Sequence, residues 1–310
     1  MTPSQPHFTR RRVLQSLTAT ALASGIWLHT AQAAEAIVVT ASFSILADLV
    51  RAVGGNRVVV NSLVGPDEDA HAFEPKPADA KTILQSQLLV INGLGFEPWA
   101  QKLAKSAGYK GQTVLAAQGI KPRVIAAEKG HGHAHAESDP HAWQNPQNVV
   151  IYVNNIAAAL TALDPAGATS YANNAQNYAK ELQALDAWAQ AQFSAIPHER
   201  RKIITAHDAF GYLAARYQIR FFAPQGLSTD TEPSAKQVAQ LIRQIQREKI
   251  KTVFVENMGN PKLMTQLGKD TGATVGAKLY ADALSAPNQA GASYLGLMRH
   301  NINHMVASMQ

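Results

Sequence analysis

The sequence contains no cysteine, and this absence excludes several kinds of chemistry at once. Disulfide bonds, thiolate ligands to a metal and thiol nucleophiles all require a cysteine side chain. A bacterial lipid anchor requires an N-terminal cysteine, so we expect a mature protein without a membrane anchor. We also expect this protein to be a monomer. Any metal site must therefore be built from histidine and oxygen ligands.

Charged residues are also scarce, since Asp, Glu, Lys and Arg make up only 16% of the 310 residues. The formal net charge is +6, but Arg10, Arg11 and Arg12 supply three of these charges and no acidic residue precedes Glu35. The chain from Glu35 onward is therefore near +3, and it contains no run rich in Lys or Arg. Because binding to nucleic acid requires a cluster of positively charged side chains, we exclude a nucleic acid as partner.

The N-terminal region has the features of an export signal. Three consecutive arginines precede an apolar stretch at 17–30, which polar residues interrupt and which is shorter than the ~20 residues of a membrane span. Small residues follow, so we interpret residues 1–33 as a signal peptide that is cleaved near Ala33. The paired arginines resemble a twin-arginine signal, and an ordinary secretory leader is the alternative. Both would place the mature protein in the periplasm.

After the leader, short β-branched runs alternate with longer helical segments. The runs at 37–40, 58–60, 88–91, 201–205, 220–222 and 252–256 are predicted strands. This alternation is typical of α/β folds with mainly parallel sheets. Because one core seldom exceeds about 250 to 300 residues, we predict two α/β lobes, at residues 34–168 and 198–310.

A long helix is predicted between the two lobes, at residues 169–197. Aromatic and apolar residues recur there at spacings of three and four, and residues 169–196 contain no Gly or Pro. A helix of about 25 residues would span roughly 38 Å. This length is sufficient to bridge two lobes.

Three histidines and one aspartate lie next to predicted ends of strands or starts of helices. They are His71, His141, His207 and Asp282, two in each predicted lobe. Taken singly, such residues more often solvate or cap their neighbours. Ends of strands in open α/β sheets converge on a common crevice, however, so all four side chains could meet there. Three imidazoles and a carboxylate are a ligand set suited to tetrahedral Zn²⁺.

Several motifs in a fixed order resemble those of the zinc/manganese solute-binding proteins of ABC importers. The motifs are the runs 71–75, 139–143, 207–212 and 228–234, together with Asp282 before Ser285. The resemblance implies two α/β lobes joined by a backbone helix, with a metal ion between the lobes that is handed to a membrane permease and its ATPase. It also implies that His71 and His141 are the ligands of the first lobe, His207 the third ligand and Asp282 the fourth.

The identity of the third ligand bears on the choice of metal. In the family that this chain resembles, this position is Glu in many manganese receptors and His in many zinc receptors, and here it is His207. Imidazole suits Zn²⁺ whereas a hard carboxylate suits Mn²⁺. We therefore predict Zn²⁺ as the bound cargo, with Mn²⁺ as the alternative. Since only neutral imidazole binds a metal, affinity is expected to fall below about pH 6.5.

Two further groups of residues flank the predicted ligands. His131, His133 and His135 alternate with small residues, and this segment is either an accessory site of metal capture or a surface loop with incidental imidazoles. Asp208 and Glu232 lie within the motifs. A metal-bound imidazole usually donates its other N–H to a carboxylate, so these two residues are candidates for that role.

Two other functions are compatible with a site of this composition. A zinc hydrolase would need an open coordination position and a general base, yet the sequence contains neither His-Glu-x-x-His nor Gly-x-Ser-x-Gly. A fourth protein ligand would also occupy the position of a catalytic water, so we predict that the protein is not an enzyme. A metal buffer or adhesin on the same fold is the other alternative, and neighbouring permease and ATPase genes would argue against it.

Overall fold

The computed structural model describes residues 1–2, 36–125 and 137–310. The predicted signal peptide lies outside these residues except for its first two positions, as does the segment with His131, His133 and His135. Within the described part of the chain, no helix has both the length and the apolar character that crossing a membrane requires.

The first lobe is built on a four-stranded parallel sheet with the strand order β2-β1-β3-β4. The elements of this half are, in chain order, β1 (Ile37–Phe43), α1 (Ser44–Gly54), β2 (Val58–Val64), α2 (Pro77–Leu84), β3 (Leu88–Ile91), α3 (Pro98–Ala107), β4 (Gln112–Leu115), β5 (Arg123–Ile125), β6 (Glu137–Asp139) and α4 (Pro146–Leu163). The central strands β1 and β3 are buried on both faces, which explains their continuous apolar sequences. Strands β5 and β6 form a separate antiparallel pair.

A second parallel sheet, with the order β10-β9-β7-β8, forms the other lobe. The elements of this half are β7 (Lys202–Ile204), α6 (Gly211–Tyr217), β8 (Arg220–Phe222), α7 (Ala235–Glu248), β9 (Thr252–Val253), α8 (Lys262–Thr271), β10 (Thr274–Val275) and α9 (Tyr294–Met309). Helix α7 begins with a capping box, in which Ser234 and Gln237 each accept a backbone N–H of the other.

The long helix between the lobes is α5 (Ala168–Ser194), which has 27 residues. It packs against α1 and α4 of the first half and against α6 and α9 of the second half. The Asp186 carboxylate on this helix accepts from Gln147 Nε2 of α4 and from Tyr217 OH of α6, both at 2.9 Å. The predicted architecture, two α/β lobes with mainly parallel sheets and one long connecting helix, is therefore confirmed.

The C-terminal segment returns to the first half of the chain. Helix α9 packs against α5 and α1. At its start, Tyr294 donates its backbone N–H to Asp48 Oδ2 (2.8 Å) and its hydroxyl to the Trp143 carbonyl (2.7 Å). The C-terminal helix is thus in contact with the first half of the chain, although it was assigned to the second lobe. The exact lobe boundaries stay a prediction.

Candidate metal centre

Each predicted ligand follows the carboxyl end of a strand. His71 lies in the loop after β2, His141 directly follows β6 and its Pro140, and His207 lies three residues after β7. Asp282 comes shortly after Leu279, which pairs with Glu256 in a parallel bridge beyond β9. His71 and His207 follow the carboxyl ends of parallel strands in the two different sheets, and His141 follows the separate antiparallel pair β5-β6, so three sheets contribute residues to one crevice.

The four side chains meet, with one potential ligand atom from each lying within 4.8 Å of all the others. His71 Nε2 is 3.2 Å from His141 Nε2 and 3.2 Å from Asp282 Oδ2. The same carboxylate oxygen is 3.1 Å from His207 Nε2 and 3.7 Å from His141 Nε2. His141, His207 and Asp282 are fully buried, and the side chain of His71 is only 5% exposed.

These distances fit a small cation. A tetrahedral Zn²⁺ with bonds of about 2.0 to 2.1 Å holds its ligand atoms about 3.3 Å apart. Asp282 Oδ1 gives a second indication, because it is buried and makes no hydrogen bond to the described residues. A buried carboxylate oxygen without a partner is costly, and a cation in the cluster would compensate its charge.

Buried carboxylates orient two of the three imidazoles. Glu256 Oε2 lies 2.5 Å from His207 Nδ1, and Asp139 Oδ1 lies 2.9 Å from His141 Nδ1. Arg123 in turn binds the other oxygen of Asp139 at 2.6 Å. These contacts assign the ring proton to Nδ1 in both histidines, so that Nε2 presents its lone pair to the common centre.

The buried charges act strongly on one another. Burial alone would lower the pKa of His207, but the carboxylates of Glu256 and Asp282 outweigh it and raise this pKa well above its ordinary value. Burial would raise the pKa of Asp282, and the charges of His141 and His207, with hydrogen bonds from His207 and His71, lower it well below its ordinary value. The aspartate is therefore ionised, and protons compete with a metal ion at His207.

The two carboxylates that orient the imidazoles are not those nominated from the sequence. Glu232 is exposed, and among the described residues neither it nor Asp208 bonds to a histidine. Asp208 is half-buried, and its backbone N–H donates to Gly226. Asp139 and Glu256 hold these positions instead, and neither is predicted from the sequence. Two features of the sequence could have indicated this role: Asp139 stands two residues before His141, and Glu256 is the last residue of a predicted strand.

The chain resembles known proteins along most of its length. Residues 39–308 match the family model described as the periplasmic component A of zinc-uptake complexes. The manganese ABC transporter substrate-binding lipoprotein PsaA of Streptococcus pneumoniae is 31% identical over 270 residues, which are 86% of this chain and 86% of PsaA. The iron-binding protein YfeA of Yersinia pestis is 34% identical over 265 residues, which are 86% of this chain and 84% of YfeA.

The fold of this chain is also similar to that of a solved metal-binding protein. The periplasmic zinc-binding protein TroA from Treponema pallidum has a TM-score of 0.82 at 26% identity, with 88% of this chain and 99% of TroA covered. The relatives are named as binding proteins and not as enzymes, so this chain is a solute-binding protein. The chain belongs to the family of periplasmic A components of zinc-uptake complexes.

Proposed function

We propose that this protein captures Zn²⁺ in the periplasm and delivers it to the permease and ATPase of an ABC importer. The observation that carries the proposal is the cluster of His71, His141, His207 and Asp282, whose potential ligand atoms lie within 4.8 Å of one another. Membership in the zinc-uptake family supports the delivery step.

The choice of zinc rests on the ligand set. Three imidazole nitrogens and one carboxylate suit Zn²⁺, whereas Mn²⁺ is the harder ion and favours oxygen donors. The affinity order of divalent ions at nitrogen sites also favours zinc over manganese. The relatives' names mention manganese, iron and zinc, so resemblance alone does not choose among these ions.

Competitive titration of the metal-free protein with Zn²⁺ and Mn²⁺ tests this choice. We expect tighter binding of Zn²⁺ and a shift towards Mn²⁺ in the variant His207→Glu, because an oxygen replaces a nitrogen donor. His304→Ala is the matched control, since His304 is exposed and lies outside the cluster. Tighter binding of Mn²⁺ by the unaltered protein would contradict the choice of zinc.

Delivery to a transporter separates this function from that of a metal buffer or adhesin. A strain without the gene should grow poorly under zinc limitation, and the intact gene should restore growth. A His207→Ala gene should not restore it. Growth that is independent of the gene, together with the absence of adjacent permease and ATPase genes, would favour the alternatives.

We also propose that His131, His133 and His135 assist capture at low zinc concentration. Their alternation with small residues supports this role. Deleting residues 131–135 should then slow zinc uptake at limiting concentrations while leaving one tightly bound ion per protein. Uptake at an unchanged rate would identify these histidines as incidental.

We further propose that the export signal at residues 1–33 is removed near Ala33 and that the mature protein is a monomer without a lipid anchor. PsaA is named a lipoprotein, whereas this sequence has no cysteine to carry a lipid. Fractionation of cells and the intact mass of the exported protein test the proposal. A lipid-modified protein in the membrane fraction would contradict it.

A further inference from the structure

His71 is held differently from the other two histidines of the cluster. His141 and His207 are fully buried and each bonds through Nδ1 to a carboxylate of its own half of the chain. Among the described residues, no carboxylate bonds to Nδ1 of His71, and its Nε2 faces Asp282 within the cluster at 3.2 Å. Its ring packs edge-on against Phe96, with centroids 4.6 Å apart. Its backbone N–H donates to Asp69 Oδ1 at 2.9 Å. The position of His71 therefore depends on how Asp69 is held.

The Asp69 carboxylate joins the loop of His71 to the opposite lobe. Its Oδ1 accepts the backbone N–H groups of His71 and Ala72, which fixes the turn that carries the ligand. Its Oδ2 accepts the hydroxyl of Thr229 at 2.7 Å. Thr229 lies between β8 and α7 in the second lobe, within the motif at 228–234 whose role the sequence left open. Thr229 of the second lobe therefore contacts Asp69, the residue that supports the backbone of His71.

A separate set of contacts fixes the start of the same loop. Asp67 has a backbone φ of 56°, and its carboxylate accepts from Asn257 Nδ2 at 2.9 Å and from the Ala286 N–H at 3.2 Å. Its own N–H donates to the Leu284 carbonyl at 2.9 Å. Trp99 Nε1 donates to the Ala70 carbonyl at 2.8 Å. Because Asp67 and Ala70 are held independently of Thr229, loss of the Thr229 contact would loosen only the Asp69 carboxylate that supports the His71 backbone.

We propose that Thr229 and Asp69 are positioning residues that retain the bound ion by holding His71 in the cluster. The inference rests on the proposed function, because it concerns the same metal site. Where Asp69 and Thr229 are apart, water can satisfy Asp69 Oδ2, so removing the hydroxyl destabilises mainly the arrangement in which the two residues are in contact. A hydrogen bond to a charged group corresponds to roughly a tenfold change in an equilibrium. This change appears in the dissociation rate, because most effects of altered contacts on affinity do.

The variant Thr229→Val removes the hydroxyl and keeps the shape of the side chain. Thr231→Val is the matched control, because Thr231 is exposed and contributes only its backbone carbonyl to a hydrogen bond among the described contacts. Thr229→Ser restores the hydroxyl. Each protein is loaded with one equivalent of Zn²⁺ and mixed rapidly with excess chromogenic chelator, and thermal unfolding of the metal-free forms is recorded alongside.

We expect Thr229→Val to release zinc about tenfold faster than the wild type, with unchanged unfolding of the metal-free protein, and the other two variants to release it at the wild-type rate. Release by Thr229→Val at the wild-type rate would overturn this inference alone, as would equal acceleration in Thr231→Val or no rescue by Thr229→Ser. A wild type that retains no zinc would overturn the proposed function and this inference with it.

Discussion

Replacing Glu256 with glutamine tests how the buried carboxylates support metal binding. Glu256 accepts at both oxygens: Oε1 takes the N–H groups of Ala206 (2.8 Å) and His207 (3.1 Å), and Oε2 takes Nδ1–H of His207. Glutamine has one acceptor and one donor end. If its oxygen faces the backbone, its NH₂ faces Nδ1, and the ring proton must move to Nε2, the nitrogen needed for the ion. If the amide is flipped, its NH₂ opposes two backbone donors.

Both arrangements weaken the site, and loss of such an outer partner typically lowers metal affinity 10- to 100-fold, which is about 1.4 to 2.8 kcal/mol. A second effect opposes this loss. Burial lowers the pKa of His207, but Glu256 and Asp282 outweigh this effect and raise it well above its ordinary value, so protons compete with zinc for this side chain. Glutamine is uncharged, so the pKa of His207 is raised less in the variant and protons compete less strongly with zinc. The loss of affinity in Glu256→Gln should therefore be largest at alkaline pH and shrink as the pH falls.

The same pKa determines how the wild-type affinity depends on pH. Affinity falls as the pH drops through the raised pKa of His207, because protonated imidazole does not bind metal. This decline begins above pH 6.5, whereas the sequence alone predicts it below about that value. Zinc titrations from pH 6 to 9, in buffers of different ionisation enthalpy, measure both the affinity and the protons released.

Glu232→Gln is the matched control for this experiment, because it makes the same chemical change at an exposed glutamate. It should bind zinc as the wild type does. The reasoning would be refuted if Glu256→Gln bound zinc with wild-type affinity at alkaline pH. A comparable loss in both variants would also refute it.

Three further predictions concern the rest of the site and its scaffold. Asp139→Asn should weaken zinc binding about 10- to 100-fold in the same titration, because Asp139 orients the second imidazole; unchanged affinity would contradict this role. Zinc at 100 times its Kd should stabilise the folded protein by about 2.7 kcal/mol in thermal unfolding, and the double variant His71→Ala, His207→Ala should show no shift. Asp186→Asn should lower the stability of the metal-free protein by about 1 to 3 kcal/mol in urea at pH 7, since Arg216 loses a charged partner. Burial raises the pKa of Asp186, but its hydrogen bonds, led by that of Arg216, outweigh burial and lower this pKa below 3.8. The stability that Asp186 contributes is therefore present above pH 3.8 and is lost as the pH falls through the lowered pKa. A variant as stable as the wild type at pH 7 would contradict this role.

The architecture could be predicted from local patterns because its elements have strong ones. The connecting helix was expected at residues 169–197 and occupies Ala168–Ser194, since a stripe of buried side chains runs along it without Gly or Pro. Strand boundaries were less accurate. A strand was expected at 252–256, but regular pairing covers only Thr252–Val253, with an isolated bridge at Glu256. Strand length depends on where neighbours pair, which a single sequence does not reveal.

The convergence of the four predicted ligands could also be anticipated, because each stands at the end of a predicted element. Their supporting groups could not. Glu256 reaches His207 because β9 lies beside β7, and strand order is a property of the whole sheet. Thr229 reaches Asp69 from 160 positions away. Motif proximity favoured Glu232 instead, which is exposed. Contacts between distant segments are fixed by packing, and adjacency in sequence is a poor guide to them.

The most direct test of the metal centre is X-ray absorption at the zinc edge on protein loaded with one equivalent of Zn²⁺. We predict a shell of three imidazole nitrogens at about 2.0 to 2.1 Å with carboxylate oxygen at a similar distance, and the loss of one imidazole in His207→Ala. A shell with fewer than three imidazoles in the wild type, or one that His207→Ala leaves unchanged, would contradict the assignment of these four side chains as the ligands.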